Sequence, residues 1–186
     1  MKRLKWDQQK QESLCIFLYF IVAAVTVLLL ATRSSFLYPC NNWDDANSYF
    51  SVGKAIFNGK LPYREVFDQK GILLYFLYGL CYLISHTTFA GVFVMECILA
   101  FFDLVGIYRI LLLYMGRNTA LVLTPLPLAM VFASYSFYWG GAAEEICFPF
   151  LVWGLYFGLR YFKKEYPHKA MDSRTLVVAG VLAGVV

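Results

Sequence analysis

Charge is scarce in this sequence. Only 15% of its 186 residues are Asp, Glu, Lys or Arg, and they fall in short clusters separated by charge-free tracts. Those tracts are long enough to cross a hydrocarbon core of about 30 Å, which excludes a water-soluble single domain. Histidine is nearly missing: His86 and His168 stand alone, with no partner at metal-ligand spacing, so no metal is assigned and a divalent ion is not indicated. No cofactor is expected. The five cysteines, Cys15, Cys40, Cys81, Cys97 and Cys147, form no CxxC pair, and four of them lie in apolar runs where a thiol acts as a small hydrophobe. That excludes a disulfide framework and a zinc site. Internal repeats, low-complexity tracts and flexible linkers are also missing, which leaves one continuous module.

What is abundant is apolar surface, 60% of residues against roughly 45–50% in a globular protein. Ser13–Thr32 carries no charge over twenty residues, follows Met-Lys-Arg-Leu-Lys and precedes no small-residue cleavage site, so it reads as a first spanning helix and not a signal peptide. Phe89–Tyr114, Asn118–Phe137 and Ile146–Tyr161 read as further spans. Between the first two spans, 33–70 is the one long hydrophilic stretch. Gly71–Ser85 then offers only about fifteen apolar residues before Ser85-His-Thr-Thr88, which suits an interfacial or re-entrant helix. Thr175–Val186 begins another apolar run of twelve residues. The expected fold class is an all-α polytopic membrane protein with about four complete transmembrane helices and a started fifth. Juxtamembrane helices are expected in an outer loop over 33–88, and the chain reads as truncated at 186.

Crossing parity sets the topology. The net charge of +4 comes mainly from Met1–Lys10 and Arg160–Arg174, both beside apolar segments, so it speaks for orientation and against a nucleic-acid partner. With Met1–Lys10 cytoplasmic, a full crossing by Gly71–Ser85 would put the Arg160 cluster outside, against the positive-inside rule. A shallow Gly71–Ser85 puts both Arg117 and that cluster inside. It also brings the acidic pairs Asp44-Asp45 and Glu144-Glu145 to the same, outer side.

In the outer loop, Asp44 or Asp45 could cap the amphipathic stretch that runs to Gly59. A carboxylate at a water–membrane boundary could also take a proton from a hydroxyl nucleophile. Lys70 could snorkel to headgroups or clamp a lipid-borne phosphate. Glu96 and Asp103 lie seven apart on one face of a span, and an intramembrane carboxylate is a functional candidate by default. Trp43 and Trp139 suit an interfacial belt more than a sugar-stacking platform, and Thr124-Pro-Leu-Pro127 predicts a kink.

Asp45 four residues before Tyr49, the stretch to Gly59, the Pro62-Tyr63 turn and Asp68-Gln-Lys70-Gly71 together resemble the first outer loop of the GT-C membrane glycosyltransferases. The similarity is to the polyprenyl-phosphate-sugar branch, which includes protein O-mannosyltransferases and the lipid A aminoarabinose transferase. Residues 1–186 would then be the N-terminal part of such a module. The resemblance implies an inverting transfer from a polyprenyl-phosphate-linked sugar to a hydroxyl acceptor on glycan, lipid or protein, at a bacterial plasma membrane. It implies Asp45 as catalytic base with Asp44 as the competing register, Lys70 on the donor phosphate, and Glu144 or Glu145 positioning substrate. Lys-Gly-Ile stands here where Lys-Pro-Pro is common, and the arginine often found before the second span is absent. The alternative is a non-catalytic polytopic protein, a transporter-like helix array or inactive fragment, in which Glu96 and Asp103 carry the function.

Overall fold

The computed structural model describes residues 2–185, with the side chains of residues 2–8 outside the description, so most of the basic cluster at Met1–Lys10 lies outside the described residues. The chain is all-α. Its helices are α1 (Lys2–Ala31), α2 (Asp44–Phe57), α3 (Ile72–Ile84), α4 (Ala90–Tyr114), α5 (Arg117–Leu123), α6 (Pro125–Phe132), α7 (Ala143–Lys164) and α8 (Ser173–Val185). Because α5 and α6 are one rod with a break, the eight segments make seven rods.

Where the sequence predicts about four complete spans, only two helices among the described residues, Gln9–Ala31 and Ala90–Tyr114, are long and apolar enough to cross a membrane; α7, over the expected span Ile146–Tyr161, is long enough but carries too many polar and charged residues to qualify. The two apolar helices differ in how much protein covers them. Only 17% of the most apolar window of α1 is buried, against 50% of that of α4. The apolar side chains Phe17, Leu18, Val22 and Leu30 of α1 stay exposed, which water would penalise and hydrocarbon would not. By contrast α4 is the hub, packed against α1, α3, α5, α6 and α7.

Two cores meet along α4. In one, Phe20, Ala24 and Leu28 of α1 pack with Phe93, Ala100, Leu104 and Tyr108 of α4 and with Leu128 and Phe132 of α6. In the other, Tyr49 and Val52 of α2 pack with Leu74, Tyr75, Tyr78 and Cys81 of α3, Val92 of α4 and Ile146 of α7. The second core fixes the loop end of the array. Here α3 starts beside the amino end of α7, where Lys70 and Gly71 line a groove with Ala143 and Ile146, and ends beside Gly91 of α4. Its two ends thus lie beside the amino-terminal parts of α7 and α4. At the opposite end Arg117 pairs with Glu12 at 2.8 Å, and Lys163 sits 4.3 Å from the Tyr114 ring centroid.

The expected single span Asn118–Phe137 is a correction. Its helix breaks at Thr124, resumes at Pro125 and ends at Phe132, giving sixteen residues or about 24 Å of rise. Proline supplies the reason: without an N–H, Pro125 cannot bond the carbonyl of Leu121. That carbonyl instead accepts the Tyr19 hydroxyl of α1 at 3.1 Å, so a neighbouring helix supplies the partner that the proline withholds. Beyond Phe132 the chain turns tightly, with Phe137 and Tyr138 both donating to the Ser134 carbonyl.

Candidate functional site

The capping expectation for Asp44 and Asp45 is not met, because α2 starts one residue earlier than a capping Asp44 would need. Trp43 occupies the cap position with no side-chain cap bond, and both aspartates fall in the first turn. There their charges face the unpaired N–H groups of the helix start, a favourable placement that leaves both carboxylates exposed to solvent. Asn41 and Asn47 organise the entry instead. Asn47 donates to the carbonyls of Asn41 and Trp43, and Asn41 donates to those of Trp139 and Gly140, which ties the start of α2 to the turn ahead of α7.

Tyr49 reports the electrostatics of the loop end. Its hydroxyl is pushed well above the usual phenol range, first by burial and then by the negative fields of Asp45, Glu144 and Asp68. Carboxylates from three separate segments thus bear on one phenol. Asp44 and Asp68 also face each other across an open cavity of about 580 Å³ along the polar side of α2, lined by Asn47, Ser48 and Ser51. That volume is within the range of small-molecule sites. Asp68 accepts from the backbone N–H of Gln69 with one oxygen, while its other oxygen is buried without a partner.

Lys70 is held by its backbone. Its N–H donates to the Tyr75 hydroxyl and its carbonyl accepts from the Tyr63 hydroxyl, both at 2.7 Å. Burial pushes the Tyr75 phenol up to about 12, so it stays protonated as a neutral partner. The lysine lies at a groove of about 240 Å³ lined by Leu73, Leu74, Ala143, Ile146 and Cys147.

The acidic pair at the start of α7 does not act as a pair. Successive helical residues point about 100° apart, so Glu144 turns to solvent and to the Tyr49 side while Glu145, 2% exposed, turns inward. Of the two, only Glu144 is open to the outer cluster. Inside, Glu145 meets Glu96 of α4, which is 1% exposed, at the backbone of Gly141. Sequence reading missed this junction, and it missed Asp68 and Tyr49 as members of the outer cluster. The one available signal was the double glycine Gly140-Gly141, whose φ angles of +78° and +79° aim a backbone N–H where a side-chain-bearing residue would be strained. Nearby, the Arg33 guanidinium lies 4.8 Å from the Trp139 ring and 5.3 Å from that of Tyr138, so Trp139 serves as a cation platform at this end.

Comparison with curated proteins and with solved structures finds no match to this chain. A family model does match, over residues 3–183, and it is described as "Putative competence-induced protein Ccs4 N-terminal domain". This match overturns the resemblance to the GT-C glycosyltransferases. That resemblance rested on an acidic pair at a helix start, a proline turn and a lysine ahead of an apolar helix. Boundary loops of many membrane proteins share those pieces because each meets a general need: the helix dipole, fixed φ and headgroup anchoring. With 3–183 matched almost end to end, the chain belongs to the Ccs4 N-terminal domain family.

Proposed function

We propose that this protein is a multi-pass protein of a bacterial plasma membrane whose loop end faces outward, and that this end binds a lipid-borne phosphate and transfers its head group to a hydroxyl acceptor. In the form to be tested, the head group is a glycosyl group on polyprenyl phosphate. The observation that carries the reading is the convergence of Asp45, Asp68 and Glu144 around Tyr49, with Lys70 at an apolar groove beside the start of α7. Asp45 takes the proton of the acceptor hydroxyl, Glu144 orients the acceptor, and Lys70 balances charge on the departing phosphate while the lipid tail stays in the groove or bilayer. The proposal stands on this geometry and not on family membership.

Orientation is tested by cysteine labelling in intact cells. The placement of Arg117 and Lys163 at the end opposite the loop supports a cytoplasmic position for Lys163, Lys164 and Lys169. An impermeant reagent should label a cysteine at position 60 and spare one at position 164. The reverse pattern inverts the topology.

The activity is tested by incubating the full-length protein with a panel of polyprenyl-phosphate sugars and measuring released polyprenyl phosphate. Lys70→Met, which keeps the stem and loses the charge, should weaken donor binding and slow release, whereas Lys70→Arg should retain part of both. Equal donor affinity in all three proteins removes Lys70 from the site, because Lys60 and Arg64 would then suffice to hold the loop at the headgroups. Absence of release from every donor in the panel overturns the glycosyl form of the proposal.

A further inference from the structure

Glu96 and Glu145 are both buried, and one backbone N–H serves them together. Gly141 N lies 2.7 Å from Oε1 of Glu96 and 3.0 Å from Oε2 of Glu145. The two carboxyls face each other within reach of a mutual hydrogen bond. Each also keeps one oxygen, Oε2 of Glu96 and Oε1 of Glu145, buried without a partner. Ser34, 4% exposed, brings a hydroxyl that has no partner of its own toward the same place: a Cβ on Gly140 would stand 2.5 Å from Ser34 Oγ and 2.9 Å from Glu96 Oε1.

The surroundings hold donors and, among the described residues, no cation paired with either carboxyl; the nearby Arg33 guanidinium lies over the Trp139 and Tyr138 rings instead. From the end of α1 come the hydroxyls of Thr32 and Ser34, from α3 Tyr78 and the Cys81 thiol, and from α4 itself Cys97. The Tyr78 hydroxyl is already committed to the Gly141 carbonyl. Neither carboxyl has a lysine, arginine or histidine within ion-pair distance among the described residues. Two facing carboxylates buried without a counter-ion repel each other and forfeit hydration, a combination that carboxyl pairs relieve by holding one proton between them. The Thr32 hydroxyl donates to the Leu28 carbonyl, so the Gly141 N–H and the Ser34 hydroxyl remain, enough to stabilise one negative charge there and not two.

The geometry points to a proton-binding site: Glu96 and Glu145 take up one proton on folding and share it, and that carboxyl–carboxylate bond clasps the amino end of α7 and the Gly140-Gly141 turn to α4. This site is separate from the outer cluster around Tyr49. It belongs to the class of intramembrane carboxyl groups that carry or sense protons. Loss of the proton would set like charges against each other at the α4–α7 contact and loosen the turn to which Asn41 ties the start of α2.

The test is the carbonyl-stretch region of the infrared spectrum of the full-length protein in lipid nanodiscs at neutral pH. A protonated-carboxyl band is expected, and it should shift on labelling with carboxyl-13C glutamate, which identifies the carrier as Glu and not the buried Asp103. The labelled band should disappear in both Glu96→Gln and Glu145→Gln, since an amide can donate to the remaining carboxylate and removes the need for a shared proton. It should persist in Asp103→Asn. A spectrum without a glutamate-shifted band overturns the proposal, and that reading needs no variant to fold. A band that survives in either Gln variant also overturns it. So does thermal stabilisation of the parent by added sodium or calcium that both Gln variants lose, because a metal ion would then be the counter-charge.

Discussion

Asp45→Asn is expected to lower head-group transfer by about 10²–10⁴-fold while the fold survives, the size of effect that follows removal of a general base. The variant keeps the shape of the side chain and removes only its capacity to take a proton. The fold should survive because Asp45 is exposed at the first turn of α2 and makes no cap bond, so little structure depends on it. Loss of its favourable contact with the helix start costs about 0.3–1 kcal/mol. The comparison that decides is Asp44→Asn. Asp44 faces the open cavity with Asp68, whereas the field of Asp45 reaches Tyr49 together with that of Glu144. Near-normal turnover in Asp45→Asn with collapse in Asp44→Asn moves the base by one residue. Near-normal turnover in both removes the two α2 aspartates from the chemistry and overturns the assignment of the base to the start of α2, leaving Asp68 and Glu144 as the remaining outer carboxylates.

The second large effect is on the fold. In α2, Gly53 packs so closely on α3 that a Cβ there would stand 2.6 Å from the backbone nitrogen of Gly79 and 2.8 Å from the carbonyl oxygen of Tyr75. Backbone atoms of a packed helix cannot swing aside as a side-chain tip can, so Gly53→Ala must separate the two helices. Overpacking of this kind costs about 1–3 kcal/mol and more for a larger residue, which predicts a clear fall in thermal midpoint for Gly53→Ala and loss of folded protein for Gly53→Leu. Gly154→Ala in α7 is the control, since nothing lies within 4 Å of the added carbon. It should be neutral or gain about 0.5–1 kcal/mol from the better helix former. A Gly53→Ala midpoint equal to that of Gly154→Ala would mean that α2 is not seated on α3. Tyr49 would then lose its place in the site.

Helix identity was largely legible in the sequence because charge-free tracts and their flanks bound apolar helices directly: the helices α4 and α7 fall within a few residues of the tracts from which they were read, and the short α3 was visible in its length alone. The break at Thr124–Pro125 was legible for the same local reason, but not the early end at Phe132, since nothing in Ala133–Phe137 distinguishes turn from helix without its neighbours. The site was less legible. That Asp45 and Glu144 share one end of the array followed from crossing parity, which needs only charge counts. The inward turn of Glu145 onto Glu96 depends on the rotational phase of α7 relative to α4, and adjacent acidic residues conceal that phase. Short motifs gave a familial reading that the match over 3–183 corrected, because boundary chemistry repeats across unrelated membrane proteins.

The hydroxyl that Tyr19 lends to the Leu121 carbonyl has a consequence for biosynthesis. A carbonyl freed by Pro125 is costly in hydrocarbon until something donates to it, and its donor sits on the helix that leaves the ribosome first. In a hydrocarbon setting the α5–α6 rod would therefore gain from an α1 already in place, with Tyr19 offering a partner to a segment made about a hundred residues later.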